Sequence, residues 1–285
     1  MKKFLGFLSS GFLAVFFLIT GPVAVTSCEK EIIRDTIIVT DTLVIKDTIT
    51  ITDSICYDLK DGLVAWYNFN KGTLKDSSGL NNHIVFNNAT SATDRFGKAD
   101  NAYLFNGTSS YMKVENSTSL NPNGKISLMA IVKFNGFYTG LCHGNQIFMK
   151  CFQDQNNGVY GLRVGTFQDC SAITDLAKER IYGYYGNNQF NSVGAVDQNT
   201  VITTGQWYNV VFTYDGAQTK IYLNGVLKET KSGSAIFTPT TEALFIGRAE
   251  RPDAPYWLNG VIDEIRIYNK DLCEGEVKQL NRLKD

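Results

Sequence analysis

Gly62-Leu63-Val64-Ala65-Trp66-Tyr67-Asn68-Phe69-Asn70, together with Gly260-Val261-Ile262-Asp263-Glu264-Ile265-Arg266-Ile267-Tyr268-Asn269 near the other end of the chain, decides the fold. Both stretches read with a period of two. Leu63, Ala65, Tyr67 and Phe69 alternate with Val64, Trp66 and Asn68. Val261, Asp263, Ile265 and Ile267 alternate with Ile262, Glu264, Arg266 and Tyr268. Alternation of this kind puts a strand on a pleated sheet with one face buried. Little helical pattern lies between the two stretches, so the ends are expected to meet in one large β-sandwich.

Turn chemistry supports the same architecture. Residues 207–214 alternate, Asp215-Gly216 turns, residues 219–223 return, Asn224-Gly225 turns again and residues 226–229 leave. Asp-Gly and Asn-Gly suit type I′ hairpin turns, which need positive φ at both central residues. Further strands are expected at 102–105, 111–114, 127–134, 146–151, 160–164, 181–185 and 243–246. Only the tail reads as helical, with Asp271 as its cap and Glu274 three residues on, ahead of Val277 and Leu280. The expectation is an all-β fold: a two-sheet antiparallel jelly-roll sandwich with one short C-terminal helix. Trp66 and Trp207 are assigned to its core.

The amino-terminal segment is read separately. Lys2 and Lys3 precede the apolar run from Phe4 to Thr20, and Val25-Thr26-Ser27-Cys28 places small residues directly before a cysteine. Residues 1–27 are expected to be a lipoprotein signal peptide, with Cys28 the lipidated residue; ordinary secretion with cleavage near Ser27 is the plainer alternative. Two or more acyl chains hold a protein firmly on a bilayer. Glu29-Lys30-Glu31 resembles the acidic tag of some Bacteroidetes-type outer-membrane lipoproteins, which implies exposure at the cell surface, with the periplasmic face as the other possibility.

Residues 28–56 are expected to form the anchor and a stalk. Within it runs a six-residue repeat: Asp35-Thr36-Ile37-Ile38-Val39-Thr40, Asp41-Thr42-Leu43-Val44-Ile45-Lys46, Asp47-Thr48-Ile49-Thr50-Ile51-Thr52, then Asp53-Ser54-Ile55. An even period keeps its faces on an extended strand but smears around a helix. Fully extended, residues 35–55 reach on the order of 70 Å. They are either a disordered spacer or a β-stalk that self-associates, its periodic Asp limiting uncontrolled stacking.

Residues 57–285 form the expected domain, long enough for a full core. A formal net charge of −1 leaves no basic field for nucleic acid or anionic lipid. Six cysteines point to an oxidising compartment. Cys56 and Cys273 flank the domain, and because domain termini often lie close together, a Cys56–Cys273 disulfide is expected. Cys142, Cys151 and Cys170 can form one pair at most, and His143 and Asp169 beside them fit no standard zinc spacing.

Seven segments in order resemble the laminin G-like jelly roll of the concanavalin A-like lectin/glucanase superfamily. They are Ala65-Trp66-Tyr67-Asn68-Phe69, Asp76-Ser77-Ser78-Gly79 with Asn82-His83, Asp94-Arg95-Phe96-Gly97-Lys98-Ala99, Phe105-Asn106-Gly107, Gly205-Gln206-Trp207-Tyr208, Tyr222-Leu223-Asn224-Gly225 and Ile262-Asp263-Glu264. The resemblance implies a structural calcium ion joining the Asp76 loop to the last strand, with Asp76 and Asp263 as carboxylate ligands and Asn81 and His83 giving main-chain oxygens. The alternative is an Asx-turn at Asp76 and a hydrogen-bonded Asp263 without metal. Glucanases of the superfamily carry Glu-x-Asp-x-Glu on one strand. No such run exists here, and Asp263 and Glu264, as strand neighbours, are expected on opposite faces.

Binding is therefore the expected activity, with a glycan or glycoprotein as partner. Candidate contacts are Tyr138, Tyr182, Tyr184 and Asn187 in the variable middle segment, and Arg251, Asp253 and Trp257 before the last strand. Aromatic rings would stack on sugar faces while amides and charges read hydroxyls. A structural or adhesive surface protein is the second reading, and a degenerate glycoside hydrolase the third.

Overall fold

The computed structural model describes residues 57–138, 144–151, 158–165, 179–187, 192–250 and 255–283. Cys28, the repeat at 35–55, Cys56, Cys142, His143, Asp169, Cys170, Arg251 and Asp253 lie outside the described residues.

Among the described residues are fifteen strands, one α-helix and two single-turn 3-10 helices. In chain order the first seven strands are β1 (Leu63–Tyr67), β2 (Ile84–Asn87), β3 (Thr90–Ala92), β4 (Ala102–Asn106), β5 (Met112–Val114), β6 (Ile126–Gly136) and β7 (Asn145–Lys150). There follow β8 (Val159–Val164), β9 (Ile181–Gly186), β10 (Ser192–Val196), β11 (Trp207–Tyr214), β12 (Gln218–Leu223), β13 (Val226–Ser232), β14 (Leu244–Ile246) and β15 (Asn259–Tyr268). One sheet runs β13-β12-β11-β6-β15-β4-β3, with β1 also on β15; the other runs β10-β9-β8-β7-β14-β5-β2. The expected closure of the ends occurs: β1 pairs antiparallel with β15, Trp66 opposite Arg266 and Tyr67 opposite Ile265.

Between the sheets, Phe105, Leu128, Phe134, Phe212, Ile262, Ile265 and Ile267 meet Phe148, Tyr160, Leu162, Ile181, Tyr185 and Ile246. Each large apolar side chain buried here contributes roughly 1.5–3 kcal/mol of transfer free energy, so this layer holds the sandwich together. A second cluster covers the outer face of the first sheet. There Val277 and Leu280 of the helix α1 (Glu274–Arg282) pack on Met129, Ile131, Val211 and Tyr222. Trp66 and Trp207 stand against this second cluster, half-buried, rather than in the inter-sheet core. Their parity on β1 and β11 points them outward, and the helix supplies the cover.

Two local expectations change. The helix is capped by Cys273, not Asp271: the Cys273 N–H donates to Glu276 Oε2 at 2.8 Å, while Asp271 pairs with Lys125 at 2.8 Å. On β15 the register slips between Ile262 and Glu264, leaving Asp263 as the extra residue of a bulge. Asp263 and Glu264 therefore do not point to opposite faces. Arg95 Nη1 contacts both, at 2.6 and 3.6 Å.

Candidate functional site

The outer face of the second sheet concentrates the aromatic residues outside the core. Met112 and Val114 on β5, and Leu244 and Ile246 on β14, point into the core, so Lys113 and Phe245 between them point out. Register extends that row across all seven strands: Phe86 faces Lys113, Lys113 faces Phe245, Phe245 faces Met149, Met149 faces Gly161, Gly161 faces Tyr184, and Tyr184 faces Gly194.

At the β2 end the row becomes an accessible aromatic platform. Phe86, 41% exposed, stacks on Tyr111 with ring centres 4.6 Å apart. Tyr111 lies 6.1 Å from Phe245 and 6.4 Å from Trp257. The Arg248 guanidinium sits among them, its Cζ 4.9 Å from the Tyr111 centre, 5.4 Å from Phe245 and 5.2 Å from Trp257. Arg248 reaches this position because Gly247, at φ +84°, turns the chain directly after β14. A side chain at Gly247 would run into the Phe105 ring beneath, so only glycine fits both the turn and the packing.

Residues 255–258 strap the platform to the sheet. Ala249 N–H donates to Pro255 O, Leu258 N–H to Gly247 O at 2.9 Å, and Gln146 N–H to Tyr256 O at 2.9 Å. Tyr256 holds φ +47°, an unusual conformation for a bulky residue. Its ring packs inward over Arg163 at 4.8 Å and edge-on to Tyr138 at 6.3 Å, while the next residue, Trp257, joins the platform.

Of the residues expected to bind, Tyr138, Tyr182, Tyr184 and Trp257 all lie on this outer face. Tyr182 and Tyr184 stack on each other, ring centres 5.6 Å apart. Tyr184 is fully buried, so it supports the half-buried Tyr182 instead of presenting its own ring. Burial pushes the Tyr182 hydroxyl up to about 12 and Tyr184 higher still, so both are neutral at physiological pH. Asn187 is engaged elsewhere: its Nδ2 donates to Thr238 Oγ1 at 3.0 Å and its Oδ1 accepts from Thr238 N–H at 2.6 Å. Phe86, Tyr111, Phe245 and Arg248 were not singled out from sequence. Each is one outward residue on a short strand or turn, and only the order β14-β5-β2 brings them together.

The residues expected to hold calcium are arranged differently. Asp76 Oδ1 accepts from Trp66 N–H and Ser78 N–H, both at 2.9 Å; Oδ2 accepts from Ser78 Oγ at 2.7 Å and Asn82 N–H at 3.0 Å. A carboxylate offers about four lone-pair directions, and protein donors occupy all of them. His83 Nδ1 accepts from the Asp76 N–H at 3.0 Å. Asp263 is committed to Arg95, and Asn81 sits exposed at φ +59°. Among the described residues, no three His, Cys, Asp or Glu side chains converge. As arranged, these groups close a loop by hydrogen bonding, with the Asp76 and Asp263 carboxylates engaged by protein donors.

The carboxylates of β15 are likewise engaged. Glu264 Oε1 accepts from Trp66 Nε1 at 2.8 Å and from Arg266 Nε at 2.6 Å. With Arg95 and Asp263 they form a buried alternation of two acids and two guanidinium groups.

A search of curated protein sequences found no match. Solved structures of similar fold include domain 4 of AbnA, an extracellular GH43 arabinanase from Geobacillus stearothermophilus, in complex with arabinotriose. That domain is 24% identical with a TM-score of 0.59, over 77% of this chain and 98% of that one. The binding domain of Paraclostridial Mosquitocidal Protein 1 (17% identical, TM-score 0.59) aligns over 79% of this chain and 52% of its own length. The binding domain of botulinum neurotoxin DC in complex with SialylT (14% identical, TM-score 0.58) covers 78% of this chain and 51% of its own. The chain thus spans about half the length of these toxin binding domains, and the likeness is one of fold. The laminin G-like family model of the concanavalin A-like lectin/glucanases superfamily matches residues 106–278, from the end of β4 into α1, and the chain belongs to that family.

Proposed function

We propose that this protein is a membrane-tethered, non-catalytic module that binds glycans or glycoproteins at the cell surface, with Phe86, Tyr111 and Trp257, backed by the buried Phe245, as its contact face. The observation that carries the reading is a contiguous cluster of rings on the outside of a sheet, partly open to solvent, where an ordinary sandwich face would be polar. Flat rings suit the apolar faces of sugars, and the half-buried Tyr182 continues the same face. The arabinotriose and SialylT complexes of similarly folded domains support the choice of ligand class. Lipid on Cys28 would tether the module to the outer membrane, residues 28–56 would give it reach, and a Cys56–Cys273 disulfide would fasten the domain to its stalk.

A glycan array probed with the soluble fragment from Tyr57 tests this reading, with Trp257→Ala as control. Binding that Trp257→Ala abolishes supports it; a blank array overturns it. One observation favours adhesion through protein contacts as the second reading. Edge strands carry exposed apolar residues, Val226 and Leu227 on β13 and Val85 on β2. A full ectodomain that is oligomeric while the fragment is monomeric, with no sugar bound, would favour it.

A further inference from the structure

We infer that the ligand of this platform is an acidic glycan, whose carboxylate pairs with Arg248 while its sugar ring stacks on the surrounding aromatics. The inference rests on the reading of the platform as a glycan surface and narrows it. Arg248 stands at the centre of the cluster, within 4.9 to 5.4 Å of three ring centres. Its Nε donates to the Ala249 carbonyl at 2.7 Å, which fixes the plane of the guanidinium. Among the described residues, no carboxylate forms an ion pair with it within 4.0 Å. The Arg248 side chain is half-buried, so part of it stays accessible at the platform.

A guanidinium packed on rings is weakly hydrated and presents its two amino groups as a flat fork, the geometry that matches a carboxylate. A second cation belongs to the same row. Lys113 lies opposite both Phe86 and Phe245, and its ion-pair partner among the described residues, Glu115, is an exposed contact at 2.8 Å that a ligand can replace at little cost. Glu250, two residues beyond Arg248, is the acidic group nearest in sequence. Burial first, then Glu242, raises its carboxyl above the usual range, while the charges of Arg248 and Lys113 act in the opposite sense, so a ligand carboxylate would share these two cations with Glu250.

The carboxylate could come from a uronic acid or from a sialic acid, and the test has an arm for each. Binding of the full chain in detergent would be measured by calorimetry against oligogalacturonate and its methyl ester, and against sialyllactose and lactose. In one pair the acidic member is expected to bind at least roughly tenfold tighter, the scale of one charge-assisted hydrogen bond. That preference should shrink with added salt, vanish in Arg248→Gln and return only in part in Arg248→Lys, since lysine keeps the charge but not the fork. Melting curves establish that the variants fold. Equal binding of acidic and neutral members, still weakened by Trp257→Ala, would overturn the acidic ligand and leave the glycan reading standing. A preference that survives Arg248→Gln would overturn the assignment to this residue. No binding of any sugar would overturn both readings together.

Discussion

The Arg248 guanidinium carbon lies 5.2 Å from the centre of the Trp257 ring, and the residue before Trp257 is held at positive φ. Backbone strain and a cation thus aim one ring, and the ring's value should be in binding more than in folding. Trp257→Ala is expected to weaken glycan affinity by about tenfold or more, near 1.4 kcal/mol. Being half-buried at the surface, the same substitution should lower stability by only about 1 kcal/mol. Trp257→Phe should retain most of the affinity. Calorimetric titration beside thermal melts checks this, and a Trp257→Ala variant of unchanged affinity would exclude the platform as contact face.

Asp76 closes its loop with four donors, two of them backbone N–H groups of Ser78 and Asn82 and one that of Trp66 on β1. Asp76→Asn turns one acceptor oxygen into a donor amide facing these donors. The expected loss is about 2–4 kcal/mol, since hydrogen bonds to a charged group contribute about 1.5–3 kcal/mol each. Because the carboxylate is already saturated, EDTA should leave the melting temperature of the wild-type protein unchanged. A melt that drops in EDTA, and does so no further in Asp76→Asn, would mean that the loop reorganises around an ion.

How much of this could be read from the sequence depends on how local each determinant is. β11 matches its expected bounds because Asp215-Gly216 ends it, and β12 ends where Asn224-Gly225 turns. The edge strands β2, β3 and β10 escaped notice. β2 has three apolar residues between His83 and Asn87, β3 is Thr-Ser-Ala, and β10 has Gly194 at its centre, so none shows a sustained alternation. The bulge at Asp263 was equally hidden, since it exists only relative to β6. For the platform, Trp257 could be picked out as an aromatic in a loop next to proline. Its partners Phe86, Tyr111 and Phe245 meet only through the order β14-β5-β2, which no local pattern specifies.

Helix α1 should be required for folding although it lies outside the sandwich core. Leu280 and Val277 are fully buried on the outer face of the first sheet, and Gln279 exchanges hydrogen bonds with the Tyr57 backbone, at 2.8 and 3.0 Å. Leu280→Ala is expected to cost about 2–4 kcal/mol from lost burial and the cavity left behind. Gln279→Ala should cost only about 1 kcal/mol, as its bonds are near the surface. Denaturant titration distinguishes the two. Comparable small losses would mean that the helix docks loosely.

Asp263 gives the protein a pH dependence opposite in sign to that of most ion-paired carboxylates. The bulge buries it, and burial outweighs the attraction of Arg95, raising its carboxyl to about 6. The unfolded chain titrates near 3.9. Between those values the folded state binds more protons than the unfolded one, so stability falls as pH rises. The contribution is complete below about pH 4 and gone above about pH 6, and it amounts to roughly 2–3 kcal/mol. Asp263→Asn, which mimics the protonated form, should flatten this part of the stability profile and make the protein more stable than wild type at pH 7. Arg95→Met should act in the other sense, leaving a buried charge uncompensated at pH 7, with a loss of about 3–5 kcal/mol that narrows on acidification to pH 5. Guanidinium titrations from pH 4 to 7 read all three proteins. If wild-type stability instead rises over that interval and Asp263→Asn is the weaker protein at pH 7, the Arg95 ion pair outweighs the burial.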